Sequence, residues 1–350
     1  MPEDIRRVSR RAFSLIELLV SAAVMAVLLL ILLAISNQVT TIWRHTSGKM
    51  EQFRQAREAF DRISRRLSQA TLNTYWDYDN PAAPTRYIRQ SELRFLSGPM
   101  EPLTGTGPNG SRPTHGLFFQ APLGLAQPGQ TNLAGLNSLL NTWGYFIEFG
   151  SNADFRPDLL DGTAIAPSHR FRLCELIQPA DALSLYSHTS GKNSDNTPKS
   201  STYTGRDWFL TAANSQGAAR PVHVLAENVI ALILHPQLSS QADPTGLRLA
   251  PDYTYDSTGT RADPEINPKN QLPPQVVLTL VALDENSAKR LENGAAMPDL
   301  GLEGLFLDPA RYQADLDTLK QTLTSRNLDY RIFTTTVPLR EARWSSEQAN

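Results

Sequence analysis

A long apolar stretch near the N-terminus carries one acidic residue close to its start. From Phe13 to Ile35 the sequence is almost entirely apolar, and Glu17 is its only ionisable residue. About 20 apolar residues are enough for a helix to cross a bilayer. An ionisable group inside such a helix is costly unless it meets a partner, so its presence indicates a function. The chain is therefore expected to begin with a membrane-length helix.

The residues before this stretch are basic and contain a candidate processing site. Residues 1–12 contain four arginines, Arg6, Arg7, Arg10 and Arg11. Positive charge beside a membrane helix keeps that end in the cytoplasm, so the remainder of the chain is expected to be exported. Cleavage between Ala12 and Phe13 would make Glu17 the fifth residue of the mature chain. Its carboxylate could then meet the new α-amino group of Phe13 on a neighbouring copy and set the register of a helix bundle.

This arrangement resembles the processing site of type IV prepilins and type II secretion pseudopilins. The matching residues are Arg10, Arg11, Phe13, Ser14, Leu15, Ile16 and Glu17. The resemblance implies that a prepilin peptidase removes residues 1–12 as a basic leader and that Phe13 is then N-methylated. It assigns assembly to the head of the helix, at Leu15, Ile16, Glu17 and Leu18. The chain departs from the family at Ala12, where Gly is usual, although Ala is also small.

Two simpler interpretations of the apolar stretch explain less of it. A cleaved secretory signal has an apolar core of only about 7–15 residues. The stretch from Phe13 to Ile35 is longer than that. An uncleaved signal anchor fits the length but gives no reason for Glu17. The prepilin interpretation accounts for both the length and the acidic residue.

Apolar residues continue at helical spacing beyond the membrane-length stretch. They recur mostly at steps of three and four, at Val39, Ile42, Trp43, Met50, Phe53, Phe60, Ile63, Leu67 and Ala70. This spacing predicts one helix from Phe13 to about Thr71, with residues 13–36 in the membrane and residues 37–71 as an amphipathic soluble half. The stripe needs a soluble partner to cover it. Arg66 falls on the opposite, charged face, which we expect to be solvated.

Residues 72–350 predict an exported, β-rich globular domain. The expected strands cover residues 115–120, 142–150, 169–176, 223–235, 275–284 and 329–340. Between the last two, Asp284 is placed to cap a short helix, and a second helix is predicted to start near Pro309. The polar stretches 187–206 and 237–274 predict long exposed loops. A long helix followed by antiparallel strands gives an α+β fold in which the sheet packs on the second half of the helix.

The order of these elements also resembles minor pseudopilins of the J type and, among prepilin-like families, the Verru_Chthon cassette protein C family. The matching segments are WGYFIEF, AENVIALIL, PPQVVLTLVALDE and LDYRIFTTTVPLREARW. The resemblance implies a pilin-like fold with long loops and a small helical insert. It also implies a processed component of the cell envelope that belongs to a filament or secretion assembly.

Composition disfavours several other functions. A net charge of −2 gives no basic field, so nucleic acid is not favoured as a partner. The histidines are scattered without metal-ligand spacing, and the single cysteine, Cys174, is expected to be a buried hydrophobe. No cofactor is expected. Acidic loop residues offer only weak calcium candidates, namely Asp252, Asp256 and Asp263.

Aromatic residues in the predicted loops form one further candidate site. They are Tyr75, Trp76, Tyr78, Tyr253 and Tyr255. Exposed aromatic rings stack on sugars or other polymers, although such residues more commonly attach a loop to its own domain.

The sequence leads to two functional hypotheses. In the first the chain is a structural protein rather than an enzyme, a minor subunit of a type IV pilus-like or type II secretion pseudopilus-like assembly. It sits in the inner membrane with a cytoplasmic N-terminus, and its partners are prepilin peptidase and other pilin or pseudopilin subunits. In the second it is an exported ligand-binding or enzymatic module that uses the helix only as a tether. Replacing Glu17 should block assembly under the first hypothesis and be harmless under the second.

Overall fold

The computed structural model divides into two compact units, Met1–Met50 and Glu51–Asn350. It describes residues 15–80, 82–108, 110–133, 135–156, 159, 167–183, 207–217, 220–292 and 294–346. The predicted leader 1–12, the residue Phe13 and the predicted loop 187–206 lie outside these ranges.

The first helix, α1, spans Leu15–Leu67, close to the bounds predicted from the sequence. Its first part, Leu15–Val39, has 25 residues and a mean hydropathy of 3.1. No Gly or Pro interrupts this part, so no residue within it lacks the amide that the helical hydrogen-bond ladder requires. By length and composition it is able to cross a membrane.

The second part of α1 belongs to the second unit and carries the predicted apolar stripe. Phe53 is partly buried, and the later stripe members Phe60, Ile63 and Leu67 are buried, as is Ala56, which the prediction did not include. They share one side of the helix because they recur at steps of three and four residues. Beyond the helix, Thr71 forms an isolated bridge with Gln120, which attaches the helix end to a strand.

The strands described in the second unit all pair antiparallel. They are β1 (Tyr75–Tyr78), β2 (Tyr87–Gln90), β3 (Leu96–Pro99), β4 (Gly110–Ser111), β5 (His115–Pro122), β6 (Leu140–Ser151), β7 (His169–Gln178), β8 (Val222–Glu227), β9 (Val229–Gln237), β10 (Tyr255–Asp256), β11 (Gln275–Leu283) and β12 (Tyr330–Pro338). β1 and β2 form a hairpin. A seven-stranded sheet has the order β10-β3-β5-β6-β7-β8 with β4 beside β6, and a three-stranded sheet has the order β12-β11-β9. The α+β class is confirmed, but the single sheet that we predicted is wrong.

Four shorter helices complete the described part of this unit. They are α2 (Met100–Thr104), α3 (Asp207–Asn214), α4 (Glu285–Leu291) and α5 (Tyr312–Ser325). The last two form the predicted insert between β11 and β12. Asp284 caps α4 by accepting a hydrogen bond of 2.9 Å from the Ser287 amide, as its position suggested. The buried side of α5 consists of Leu316, Leu319 and Leu323 together with Asp315.

The strand predicted at residues 223–235 is two strands in different sheets. Asn228 separates β8 from β9 and adopts a left-handed φ of 60°. Asn tolerates this conformation because its short polar side chain bonds locally. From Val229 onward the chain runs in the three-stranded sheet, and β9 packs against β5, β6 and β7. Asn228 is therefore the point at which the chain changes sheets.

The stretch 237–274 is largely irregular, as predicted, but it is not simply an exposed loop. It contributes β10, which pairs with β3. Its apolar side chains Leu249, Tyr253 and Tyr255 are buried. This loop therefore forms part of the domain core.

Candidate functional site

The residues expected to guide assembly occupy the first turn of α1. Leu15, Ile16 and Leu18 are exposed there, and Glu17 is the acidic residue of the turn. A carboxylate in the first turn interacts favourably with the positive end of the helix dipole. The cleavage residues Ala12 and Phe13 precede the described part of the chain. The structure thus places these four residues together in the first turn of α1, and both their role in assembly and the cleavage site stay predictions.

The surface around Glu17 is apolar on every side of the helix. Within Leu15–Val39 no residue is buried in the protein, so its Leu, Ile and Val side chains are exposed around the whole circumference. Ser21 lies one turn from Glu17, and its hydroxyl donates to the Leu18 carbonyl at 2.9 Å. A helix that is apolar all round is suited to lipid or to the interior of a helix assembly.

Arg66 ties the end of α1 to the seven-stranded sheet. Its guanidinium donates to the carboxylate of Glu175 on β7 and, at 3.4 Å, to the hydroxyl of Tyr145 on β6. It also lies 3.9 Å from the centroid of the Trp143 ring. Burial opposes its charge, but Tyr145 and Glu175 outweigh that effect and raise the pKa of Arg66. The expectation that Arg66 is solvated was wrong, because a buried acid from a distant strand lies within its reach.

A second charge cluster is closed off from solvent inside the domain. Glu148 on β6 is fully buried and accepts hydrogen bonds from Arg112 at 3.2 Å and from Arg220 at 2.8 and 3.0 Å. Arg112 also donates to the Ala213 carbonyl and to the Asn214 side chain, each at 2.7 Å. These acceptors lie at the C-terminal end of α3, where cations are favoured by the helix dipole. The cluster therefore holds α3 against β6.

The three calcium candidates each have a different hydrogen-bond partner. Asp256 accepts a hydrogen bond of 2.9 Å from Arg94, Asp263 lies 3.3 Å from Arg248, and Asp252 accepts from the Thr254 amide at 3.1 Å. Across the described ranges, no group of three or more His, Cys, Asp or Glu side chains is placed to hold a metal ion. The calcium hypothesis is therefore not supported at these residues.

Two buried side chains of types that can act as acids, bases or nucleophiles, His115 and Cys174, are in settings that suit a role in packing rather than in a reaction. His115 donates through Nε2 to the Phe306 carbonyl at 2.9 Å, and its Nδ1 accepts from the Leu234 amide at 3.1 Å. Burial lowers the pKa of His115 to about 4, which keeps the ring neutral near pH 7. Burial raises the pKa of Cys174 to about 12, so its thiol is not a thiolate at that pH. Cys174 is a buried hydrophobe, as the sequence predicted.

The aromatic residues noted in the loops divide into two groups. Tyr253 and Tyr255 are buried, so the hypothesis that they stack on an external polymer is wrong for this pair. Tyr75, Trp76 and Tyr78 form β1 and are exposed.

Comparison with known proteins bears on the N-terminal segment. No curated protein and no solved structure matches the chain. The family model described as the prokaryotic N-terminal methylation motif matches residues 7–33. This range contains the predicted cleavage residues Ala12 and Phe13, the acidic residue Glu17 and most of the apolar helix. The chain therefore carries a prepilin-like N-terminal methylation motif at the head of a helix long enough to span a membrane.

Proposed function

We propose that the chain is the precursor of a minor subunit in a type IV pilus-like or type II secretion pseudopilus-like assembly. The main support for this proposal is the overlap of two features in the sequence. The methylation motif at residues 7–33 overlaps the helix part Leu15–Val39, whose apolar side chains are not buried in the protein. Lipid covers such a surface in the precursor, and the helices of other subunits cover it in a filament.

The precursor lies in the inner membrane with its arginine-rich N-terminus in the cytoplasm and residues 72–350 exported. The positive charges at Arg6, Arg7, Arg10 and Arg11 support this orientation. A prepilin peptidase cuts between Ala12 and Phe13, and Phe13 is N-methylated. The methylation motif supports this route.

Glu17 then sets the position of each subunit relative to its neighbour. In an apolar medium its carboxylate is stabilised strongly by an opposite charge, and the mature N-terminal amine of a neighbouring Phe13 supplies one. Leu15, Ile16 and Leu18 surround Glu17 with exposed apolar side chains that pack between helices. The charge pair fixes the register, and the apolar contacts supply most of the packing.

The exported domain favours a minor rather than a major subunit. The insert of α4 and α5 and the packed stretch 237–274 enlarge the domain beyond what one sheet on one helix requires. Every copy of a major subunit would have to accommodate that bulk in the repeating lattice, whereas a low-copy or tip subunit would not. Membership of the Verru_Chthon cassette protein C family, which the sequence resembles, is likewise part of what we propose. Quantitative proteomics of purified filaments should find this chain well below the main subunit, and dominance of this chain would contradict the minor role.

Mass spectrometry of the chain from native envelopes tests the proposal. We expect a mature N-terminus at Phe13 carrying one N-methyl group, and an intact leader in cells that lack prepilin peptidase. Ala12→Leu, which replaces the small residue at the cut, is the matched uncleaved control. An N-terminus at Met1 or Pro2 in peptidase-positive cells would overturn the proposal and favour the tethered ligand-binding or enzymatic module.

A further inference from the structure

One face of the β1–β2 hairpin carries a ladder of exposed aromatic rings. The strand register pairs Trp76 with Arg89 and Tyr78 with Tyr87, so the four side chains share one face. The rings of Tyr78 and Tyr87 stack with centroids 4.8 Å apart. Trp76 is 51% exposed and Tyr87 is 62% exposed. Because water solvates such a cluster of rings poorly, its exposure indicates a binding surface.

The ladder borders a pocket of about 280 Å³. Trp76, which is part of the ladder, also lines the pocket, and so does Arg89, its partner across the two strands. The rest of the lining is mostly polar and includes Asn73, Gln271, Glu341 and Arg343. The site thus joins flat aromatic surfaces to a recess that offers hydrogen-bond donors, hydrogen-bond acceptors and charge.

The polar part of the pocket is held in place by buried contacts. Gln271 is 4% exposed, and its Oε1 accepts from Arg89 at 2.7 Å and from the Ser345 amide at 2.9 Å. The Asn270 side chain donates to the Arg89 carbonyl at 2.8 Å. The guanidinium of Arg89 lies 5.8 Å from the centroid of the Trp76 ring. A ligand therefore meets an arginine that is already positioned, which lowers the entropic cost of binding.

The charges of the pocket favour an anionic ligand. Two arginines, Arg89 and Arg343, line it together with one acid, Glu341. Burial lowers the pKa of Arg89, and the positive charge of Arg343 lowers it further. A carboxylate bound between the guanidiniums would relieve this repulsion and gain charge-assisted hydrogen bonds.

We propose that the hairpin face and its pocket bind an acidic saccharide, in which sugar rings stack on Trp76 and Tyr87 and a hexuronate carboxylate pairs with Arg89 and Arg343. The apolar faces of sugar rings suit aromatic side chains, and sugar hydroxyls suit the exposed amide of Asn73. The site lies within the second unit, and its chemistry does not depend on filament assembly.

A protein partner is the main competing occupant of this surface. Protein interfaces usually combine aromatic anchors with an apolar, desolvated centre. On this hairpin Ile88 pairs with Asp77 on the opposite face and is partly buried, so the ladder has no aliphatic member. The pocket beside it is mostly polar. These features favour a saccharide, and the experiment includes the protein partner as an outcome that contradicts the proposal.

Binding of the full-length protein in detergent micelles to immobilised polygalacturonate tests the proposal, with dextran as the uncharged polymer. We expect binding to polygalacturonate and not to dextran. Trp76→Ala and Arg343→Gln should each weaken it about tenfold, which corresponds to about 1.4 kcal/mol. Tyr75→Ala, on the opposite face of the same strand, and Arg340→Gln, outside the pocket, are the matched controls and should bind normally.

Unfolding temperatures of all four variants show whether the domain remains folded. If Trp76→Ala destabilises the hairpin, the exposed Arg343 still provides the test. The proposal is overturned if the wild type does not bind polygalacturonate, if dextran binds equally well, or if the controls lose as much affinity as the site variants. Loss of cross-links to neighbouring subunits in Trp76→Ala, without any polygalacturonate binding by the wild type, would identify a protein interface instead.

Discussion

Glu17 in the first unit and Glu148 in the second are both acidic residues with apolar neighbours in the sequence. They differ in whether the protein itself buries them. The domain itself buries Glu148 completely and supplies Arg112 and Arg220 as hydrogen-bond donors. Glu17 belongs to Leu15–Val39, of which no residue is buried in the protein. The domain supplies the charged partners of Glu148 from its own residues, whereas it does not bury the side chains around Glu17. The same residue type therefore stabilises the fold in one unit and, under the proposed function, guides assembly in the other.

The largest effect is expected for Glu17→Gln, which keeps the shape of the side chain and removes its charge. Incorporation into filaments should fall by more than about tenfold, because loss of a charge pair in an apolar medium costs several kcal/mol. The unfolding temperature of the domain should not change. Quantitative immunoblots of sheared filaments and of membranes measure incorporation and insertion. Ser21→Ala, one turn away, is the control. Normal incorporation of Glu17→Gln would show that assembly does not need the charge of Glu17. The proposed difference between Glu17 and Glu148 would then be wrong.

In the second unit the largest effect on folding is expected for Glu148→Gln. The substitution leaves Arg112 and Arg220 buried without a compensating charge, which should cost about 3–5 kcal/mol of unfolding free energy. Denaturant unfolding of the full-length chain, followed by tryptophan fluorescence, measures this cost. Glu303→Gln removes an exposed acid and should be nearly neutral. A cost below about 1 kcal/mol for Glu148→Gln would mean that solvent reaches the cluster once it is disturbed.

Acid should destabilise the domain through His115. The folded-state pKa is about 4 against an ordinary value of 6.5, so the unfolded chain binds more protons between these pH values. The stabilisation is complete above pH 6.5 and is lost as pH falls towards 4. Its size is on the order of 3 kcal/mol. Protonation of Nδ1 would also break the hydrogen bond from the Leu234 amide.

Unfolding curves at several pH values measure this dependence. His115→Gln should remove part of it, and His235 should contribute as well, because burial lowers the pKa of His235 to about 4. The exposed His223→Gln is the control. An unchanged pH profile in His115→Gln would exclude this histidine as the source.

Features that depend on nearby residues in the sequence were predicted well. The stripe from Phe53 to Leu67 and the cap at Asp284 both follow from spacing within one helix. Five of the six predicted strand segments match one strand each. The sixth was wrong because apolar residues continue on both sides of Asn228, so the pattern gives no sign that the backbone changes sheets there.

Features that depend on distant partners were not predictable from spacing. Glu148 alternates with Ile147 and Phe149 along β6 and would ordinarily face solvent, but α3 covers that face. Arg66 would likewise be solvated without Glu175 from β7. In the candidate site, the motif drew attention to Glu17, and the cut between Ala12 and Phe13 stays a prediction. The ladder on the hairpin needed the register of β1 and β2, which brings Tyr87 and Arg89 beside the aromatic residues already noted in β1.

The smallest effect is expected for Arg66→Met, which keeps much of the apolar stem and removes the guanidinium. Glu175 would remain buried with Tyr145 as its hydrogen-bond donor at 2.9 Å. The cost should be about 2 kcal/mol, as for hydrogen bonds to charged groups. It should be lower than for Glu148→Gln, because the side chain of Arg66 is 21% exposed whereas that of Arg112 is 0% exposed.

A double-mutant cycle of Arg66→Met with Glu175→Gln isolates the interaction between the two charges. We expect a positive coupling energy, so that the double variant is less destabilised than the sum of the single variants. Arg65→Met changes the neighbouring exposed arginine and should be nearly neutral. If Arg66→Met were also neutral, the charged face of α1 would be solvated in solution, as its sequence pattern indicates. The ion pair between Arg66 and Glu175 would then contribute nothing to stability. The contrast with Glu17 would rest on Glu148 alone.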